Sequence, residues 1–186
     1  MRLIIMNDEY WDLFDVNRVV QLRHHRRGDS IPDGLYHLVI HSWIMDSSGL
    51  FLMSQRQKGR SSAFKWERTG GSVLEGESSL DGAIREVYEE LGIELNKGQA
   101  FFVKTVKRDH YHDMFDSWLF VVNKDKLDCK IDTQEVRDYK WMSLSDLDEL
   151  KRKRRIVSSS LYYDEVFALF EQVTAMSRTG ILSSKK

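Results

Sequence analysis

Apolar positions along this chain gather in short dense blocks, interrupted once by a stripe at helical spacing. "YHLVIHSWIM" (Tyr36–Met45) and "LFLMSQR" (Leu50–Arg56) are rich in β-formers and flank the turn signal "DSSG", which predicts a hairpin. "FFVKTVK" (Phe101–Lys107) and "FDSWLFVV" (Phe115–Val122) predict a second strand pair, and "YKWM" (Tyr139–Met142) a short last strand. Between the pairs the period changes. Leu80, Ile84, Val87 and Leu91 fall on one stripe, so a helix is predicted from about Ser79 to Leu91, with Gly92 as its left-handed stop. "SLSDLDELKRK" opens on serine caps and ends in basic residues, and "SLYYDEVFALFEQVTAM" reads as a final amphipathic helix. Strands flanking helices in this order predict a mixed α/β layer architecture. The expected organisation is an N-terminal extension (1–35) packed on a core (36–150), a C-terminal helical segment (151–178) and a flexible tail (179–186).

Composition narrows the class. A chain of 186 residues can bury one sizeable core, and a formal net charge of −1 gives no overall field toward nucleic acid or an anionic membrane. The single cysteine, Cys129 in "KLDCKID", excludes an intramolecular disulfide and a cysteine-based zinc cage, and a surface-loop or edge-strand place is expected for it. The apolar runs are too short to span a bilayer and the N-terminus turns acidic early, so the expected location is the cytoplasm. A homodimer is left open.

The stretch "GGSVLEGESSLDGAIREVYEELGIEL" holds seven acidic side chains and one arginine. On the predicted helix, Glu86, Glu89 and Glu90 fall at i, i+3 and i+4 and converge beside the apolar stripe. Such a cluster is unfavourable without compensation, and a hard divalent cation with oxygen ligands, Mg²⁺ in particular, removes the repulsion. Arg85 lies four residues before Glu89 and can orient it. Ahead of the helix, Gly70 and Gly71 let the backbone turn and a carbonyl approach a metal, and Glu77 enters near the helix start. Taken alone, "EVYEE" is equally consistent with a solvated acidic face.

The full spacing decides between the two. Gly71, five residues, Glu77, seven residues, then Arg85-Glu86-Val87-Tyr88-Glu89-Glu90-Leu91-Gly92-Ile93 fills every fixed position of the Nudix box. The sequence therefore resembles the Nudix hydrolases, and the resemblance implies an α/β/α sandwich around a mixed sheet with a loop-helix-loop motif. It also implies Mg²⁺ or Mn²⁺ as cofactor and a diphosphate linked to a nucleoside or other moiety as substrate. Carried over residue by residue, Glu89 and Glu90 become metal ligands, Glu86 a ligand or the base that activates water, and the Gly71 carbonyl a further ligand. Arg85 and Glu77 pair to hold the loop against the helix. Many relatives add an acidic residue from the loop before the last core strand, and Glu135 in "TQEVRDYKWMSL" holds that place here.

Roughly residues 9 to 150, including "EYWDLFDVN" and "WERTGG", also resemble the branch that contains isopentenyl-diphosphate isomerase and its hydrolase-like relatives. The isomerase pattern needs a cysteine followed by Gly-His ahead of the motif glutamate. Gly70-Gly71-Ser72 stands there instead, which disfavours isomerisation. A non-catalytic binding module on the same scaffold is the other alternative, yet it would have no need of all three clustered glutamates.

Weaker signals remain. Arg56 and Lys65, in the basic segment "RQKGRSSAFK", are the expected phosphate contacts, since guanidinium and ammonium groups suit phosphate oxygens. "KRKRR" (Lys151–Arg155) follows a helix C-terminus where cations are favoured, so no nucleic-acid role is drawn from it. His110 and His112 in "DHYHD" could serve a metal but lack a third ligand at fixed spacing. Trp43, Trp66 and Tyr111 are expected in the core rather than as a stacking platform.

Overall fold

The computed structural model describes residues 9–178 and arranges them around one nine-stranded sheet. In chain order the strands are β1 (Tyr10–Phe14), β2 (Val20–Arg26), β3 (Tyr36–Asp46), β4 (Phe51–Arg56), β5 (Trp66–Glu67), β6 (Thr69–Ser72), β7 (Ala100–Arg108), β8 (Asp113–Val122) and β9 (Val136–Met142). The helices are α1 (Ser79–Leu91), α2 (Leu144–Arg152) and α3 (Tyr163–Arg178). The tail signal "GILSSKK" lies outside the described residues, and so does the segment before Glu9.

β3 is the spine of the sheet. It pairs in parallel with β8 along its whole length, from His37 opposite Asp113 to Asp46 opposite Val122, and antiparallel with β1, β4 and β6. Nearly every β3 residue is buried, as expected of a strand covered on both faces, and its sequence accordingly reads as an apolar run rather than an alternation. Side-chain alternation then divides the molecule. Leu38, Ile40 and Ile44 join Ala83, Val87 and Leu91 of α1 in one core, while Trp43 and Met45 join Leu147 of α2 and Tyr163, Val166 and Phe170 of α3 in another. The result is an α/β/α sandwich.

The predicted elements are present, with three informative differences. The first hairpin is closed by a turn in which the Asp46 carboxylate accepts from the amides of Ser48 and Leu50, with Gly49 at φ +90°. β3 and β4 then separate after the Met45–Phe51 pair, because β4 takes β9 as its neighbour. The chain before β3 contributes the β1–β2 hairpin, and Leu13 and Phe14 pair with β3, so this segment extends the sheet. Finally, the glycine-rich "TGGS", where the glycines are expected to let the backbone turn, is the strand β6, paired with Val39–Ser42. Trp43 and Trp66 are core side chains, whereas Tyr111 is exposed under the Arg108 guanidinium. Cys129 is half-buried in the loop between β8 and β9, and burial pushes its thiol pKa up. Among the described residues no helix is long and apolar enough to cross a membrane.

Candidate active site on the first helix

α1 begins and ends where its sequence dictates. Ser78 caps the N-terminus by accepting from the Asp81 amide, and Gly92, at φ 66°, donates to the Tyr88 carbonyl as a left-handed stop. The start and end of the helix fix its phase, so Ala83, Val87 and Leu91 face the sheet, with Leu80 and Ile84 partly buried beside them. Glu86 and Glu90 then emerge at the margin of the buried face, and Glu89 in solvent.

Arg85 organises this margin. Its Nε donates to Glu77 Oε1 at 2.8 Å and its Nη2 to Glu77 Oε2 at 3.0 Å and to the Ser72 carbonyl at 2.9 Å. Its Nη1 donates to Glu86 Oε1 at 3.0 Å and Glu89 Oε2 at 2.9 Å. Glu77 also accepts from the Leu74 amide, so a single guanidinium ties the β6 backbone, the loop and the helix together. Burial opposes the charge of Arg85, but its hydrogen bonds to Glu77 and the nearby carboxylates outweigh it and raise its pKa.

β6 supplies the floor. A Cβ built on Gly71 would lie 2.1 Å from the Glu86 carboxyl carbon, so glycine is required for that carboxylate to rest on the strand. Gly71→Ala is accordingly expected to displace Glu86 and lower activity by at least about tenfold while the fold survives, because a misplaced catalytic group is costly. Steady-state kinetics together with a circular-dichroism melt test this; unchanged turnover would show that Glu86 need not lie there.

The loop before β9 closes the other side. The Lys130 amide donates to the Leu91 carbonyl at 2.7 Å and the Asp132 amide to the Glu90 carbonyl at 2.9 Å. These bonds bring Asp132 and Glu135 to the rim of a cleft of ≈ 440 Å³ that Gly70, Gly71, Ser72, Glu86, Glu89 and Glu90 also line. Arg60 reaches in from the segment after β4 and grips Glu135 with both terminal nitrogens, at 3.0 and 2.9 Å. Glu9 and Arg27 from the β1–β2 side complete the rim as an ion pair.

Acid predominates in this cleft. Burial raises the pKa of Glu86, partly offset by Arg85 and reinforced by Glu89 and Glu135. Burial also raises that of Glu90 well above the ordinary range, and Glu67, Glu86 and Glu135 add repulsion against a small opposing effect of Arg68. Among the described residues no cationic side chain is paired with Glu90, and no three His, Cys, Asp or Glu side chains converge tightly enough to hold a metal ion as they stand. The donors are nevertheless oxygen atoms gathered around one cleft, a set suited to a hard divalent cation once Glu86 and Glu89 turn from Arg85.

Of the other expected contacts, Arg56 lines two cavities beside this cleft, one of them together with Arg60, Glu90 and Glu135. Arg56 is held by Glu67 and by the Ser61 carbonyl and hydroxyl, and Lys65 lines neither this cleft nor the cavities beside it. His110 and His112 occupy a one-turn 3-10 segment and its left-handed end, without a third ligand. Reading the sequence alone overlooked Arg60, Asp132, Glu9 and Arg27. Arg60 sits in the basic segment already singled out, but only the fold could tell which of its cations turns toward the acids.

Comparison with known proteins agrees with this geometry. The NUDIX domain model matches residues 35–162. This chain belongs to the NUDIX family. It is 32% identical over 171 residues to an uncharacterized Nudix hydrolase of Listeria innocua, covering 89% of this chain and 98% of that one. A second uncharacterized Nudix hydrolase, from Listeria monocytogenes, is 34% identical over 148 residues, covering 77% and 85%. Among solved structures, one from Deinococcus radiodurans superposes with a TM-score of 0.64 over 88% of this chain and 98% of its own, at 15% identity, which speaks for the fold alone. The enzyme class that follows from the family and these relatives is that of a Nudix hydrolase, a pyrophosphatase.

Proposed function

We propose that this chain is a Mg²⁺- or Mn²⁺-dependent pyrophosphohydrolase that cleaves a nucleoside diphosphate linked to another moiety. The observation that carries the reading is Glu90, a carboxylate at the buried margin of an acidic cleft with no cation paired to it. A charge in that position is retained at a cost unless something positive occupies the cleft.

Glu86, Glu89, Glu90 and the Gly71 carbonyl would hold the ion. Bound there, the ion supplies neutralisation of phosphate oxygens and a water of lowered pKa. The remaining work belongs to the side chains. Arg85 fixes the directions of Glu86 and Glu89 relative to β6. Glu86, whose pKa burial raises, is suited to accept a proton from the attacking water, and Glu135 is the second candidate at the rim. Arg60, with its fork inside the cleft, can exchange Glu135 for a phosphate oxygen, and it joins Arg56 and Lys65 as a candidate phosphate contact. The resemblance to the isomerase branch adds no step, since Gly70-Gly71-Ser72 offers neither thiol nor imidazole at the reacting position.

A panel of nucleoside triphosphates, dinucleoside polyphosphates, sugar nucleotides, ADP-ribose and prenyl diphosphates tests the proposal. At least one nucleoside-diphosphate-linked compound should release phosphate, pyrophosphate or a nucleotide with Mg²⁺ or Mn²⁺, and none after chelation. Turnover that persists in chelator would sink the reading, and tight nucleotide binding without turnover at saturating metal would favour a binding module instead.

A further inference from the structure

β6 has two faces, and they carry opposite charge. Gly71 pairs with Ile40 on the α1 side, where Glu86 lies against it, whereas Gly70 pairs with His41 on the α3 side. A Cβ built on Gly70 would lie 2.9 Å from Arg68 Nη1 and 2.7 Å from the Ile40 carbonyl. The glycine pair thus leaves space for a carboxylate on one side of the strand and for a guanidinium on the other.

On that α3 side is a cavity of ≈ 300 Å³, lined among others by Arg56, Arg68, Arg108 and His41, with Glu67 its only carboxylate among the described residues. Two of the three arginines are engaged. Arg56 pairs with Glu67, and Arg108 forks onto both carboxylate oxygens of Asp113. Arg68 is different. It is 6% exposed, and among the described residues no carboxylate forms an ion pair with it. Its Nη2 reaches the Ser159 hydroxyl at 3.3 Å and the side chain also hydrogen-bonds Tyr162, but among the described residues its Nε has no hydrogen-bond partner. Buried donors in folded proteins are almost always satisfied, and a buried guanidinium kept only for packing would be paired.

The cavity adjoins the acidic cleft. Gly70, Gly71 and Ser72 line both, so a ligand held over the glutamates can pass around the β6 rim to reach Arg68. We propose that Arg68 is a specificity-determining residue that binds a phosphate-type oxyanion of the substrate other than the diphosphate that is cleaved. The preferred substrates of this chain then carry a second phosphate-type group. The assignment rests on the hydrolase reading above for the identity of the first group; the oxyanion site itself does not.

The test compares wild type with Arg68→Gln, Arg68→Lys and Ser62→Asp. Ser62 is exposed, lines the same cavity and has φ 55°, a conformation that aspartate tolerates, so its substitution adds a carboxylate at the mouth without touching the core. Substrate pairs differing by one phosphate are used: nucleoside triphosphate against diphosphate, and a dinucleotide with and without a ribose phosphate. Arg68→Gln should raise KM for the more phosphorylated member by about 10–100-fold, the range for loss of a charged hydrogen-bonding partner. The less phosphorylated member and the Mg²⁺ affinity should be unaffected. Arg68→Lys should recover part of the loss, and Ser62→Asp should shift KM in the same direction at wild-type melting temperature, which keeps the test open if Arg68→Gln does not fold. Equal effects on both members of each pair, or no wild-type preference within a pair, would overturn the proposal.

Calorimetry with inorganic phosphate in the absence of metal separates this idea from the hydrolase reading. Wild type should bind it and Ser62→Asp should bind it more weakly, whether or not any compound is hydrolysed. Equal binding by all variants removes the site. Phosphate binding that depends on Arg68, with no discrimination within substrate pairs, removes its assignment to the substrate.

Discussion

Glu90→Gln is expected to abolish most activity and, without metal, to make the protein more stable. The substitution keeps shape and volume but removes a cleft carboxylate that, among the described residues, has no cation paired with it. Loss of a group that positions metal and water costs on the order of 10²–10⁴ in turnover, and Mg²⁺ affinity should fall with it. The same change relieves the burial of an uncompensated charge beside Glu67, Glu86 and Glu135. The melting temperature of metal-free protein should therefore rise, by about 2–4 °C for each kcal/mol of repulsion removed. Saturating Mg²⁺ should reverse the order, since a ligand at a hundred times its Kd adds about 2.7 kcal/mol to whichever form binds it. Turnover, titration of Mg²⁺ and melts with and without metal measure all three effects. An unaltered rate together with an unaltered melt would return Glu90 to the status of a solvated surface charge.

Much of the site was legible in the sequence because it is local. Ser78, the stripe ending at Leu91, and Gly92 determine where α1 starts, which side is buried and where it stops, and these fix the directions of Arg85, Glu86, Glu89 and Glu90. The pairing of Arg85 with Glu77 is what the family resemblance implied, and the loop turns back to bring the two together. What could not be read depends on contacts between distant segments. "TGGS" has poor strand propensity, and it is a strand only because β3 offers its edge at Val39–Ser42. The β1–β2 hairpin is built from residues whose pairing with β3 involves just Leu13 and Phe14. Arg60 and Arg68 lie in segments that had been noticed, but their roles depend on which face each turns to. Arg56 looked free in sequence, and Glu67 on the neighbouring strand β5 takes it. The residues that the family motif implies lie together where the motif is contiguous; the charge on the far face of β6 lies outside that motif.

Arg85→Ala is expected to combine the largest loss of stability with a loss of activity. The guanidinium is about one-fifth exposed and serves Glu77, Glu86, Glu89 and the Ser72 carbonyl at once. Removing it leaves Glu77 and Glu86, themselves mostly buried side chains at 22% and 17% exposure, without their cation. Truncating one partner of such a pair costs about 3 kcal/mol, mainly through the charge left behind. Glu89 contributes little to this figure because its side chain is 55% exposed and water screens it. Activity should fall by at least about a hundredfold, since Glu86 and Glu89 lose the contact that aims them and the loop loses its tie to the helix. Arg85→Lys should restore little of either property. A single ammonium cannot reproduce the two-pronged grip on Glu77 while reaching the Ser72 carbonyl and two more carboxylates. Addition of Mg²⁺ should rescue stability in Arg85→Ala more than in wild type, because the unpaired carboxylates then gain the cation that the guanidinium had supplied. Denaturant melts and turnover of both variants, with and without Mg²⁺, test the argument; near-complete rescue by lysine would show that Arg85 acts through charge alone and that its fork geometry does not organise the site.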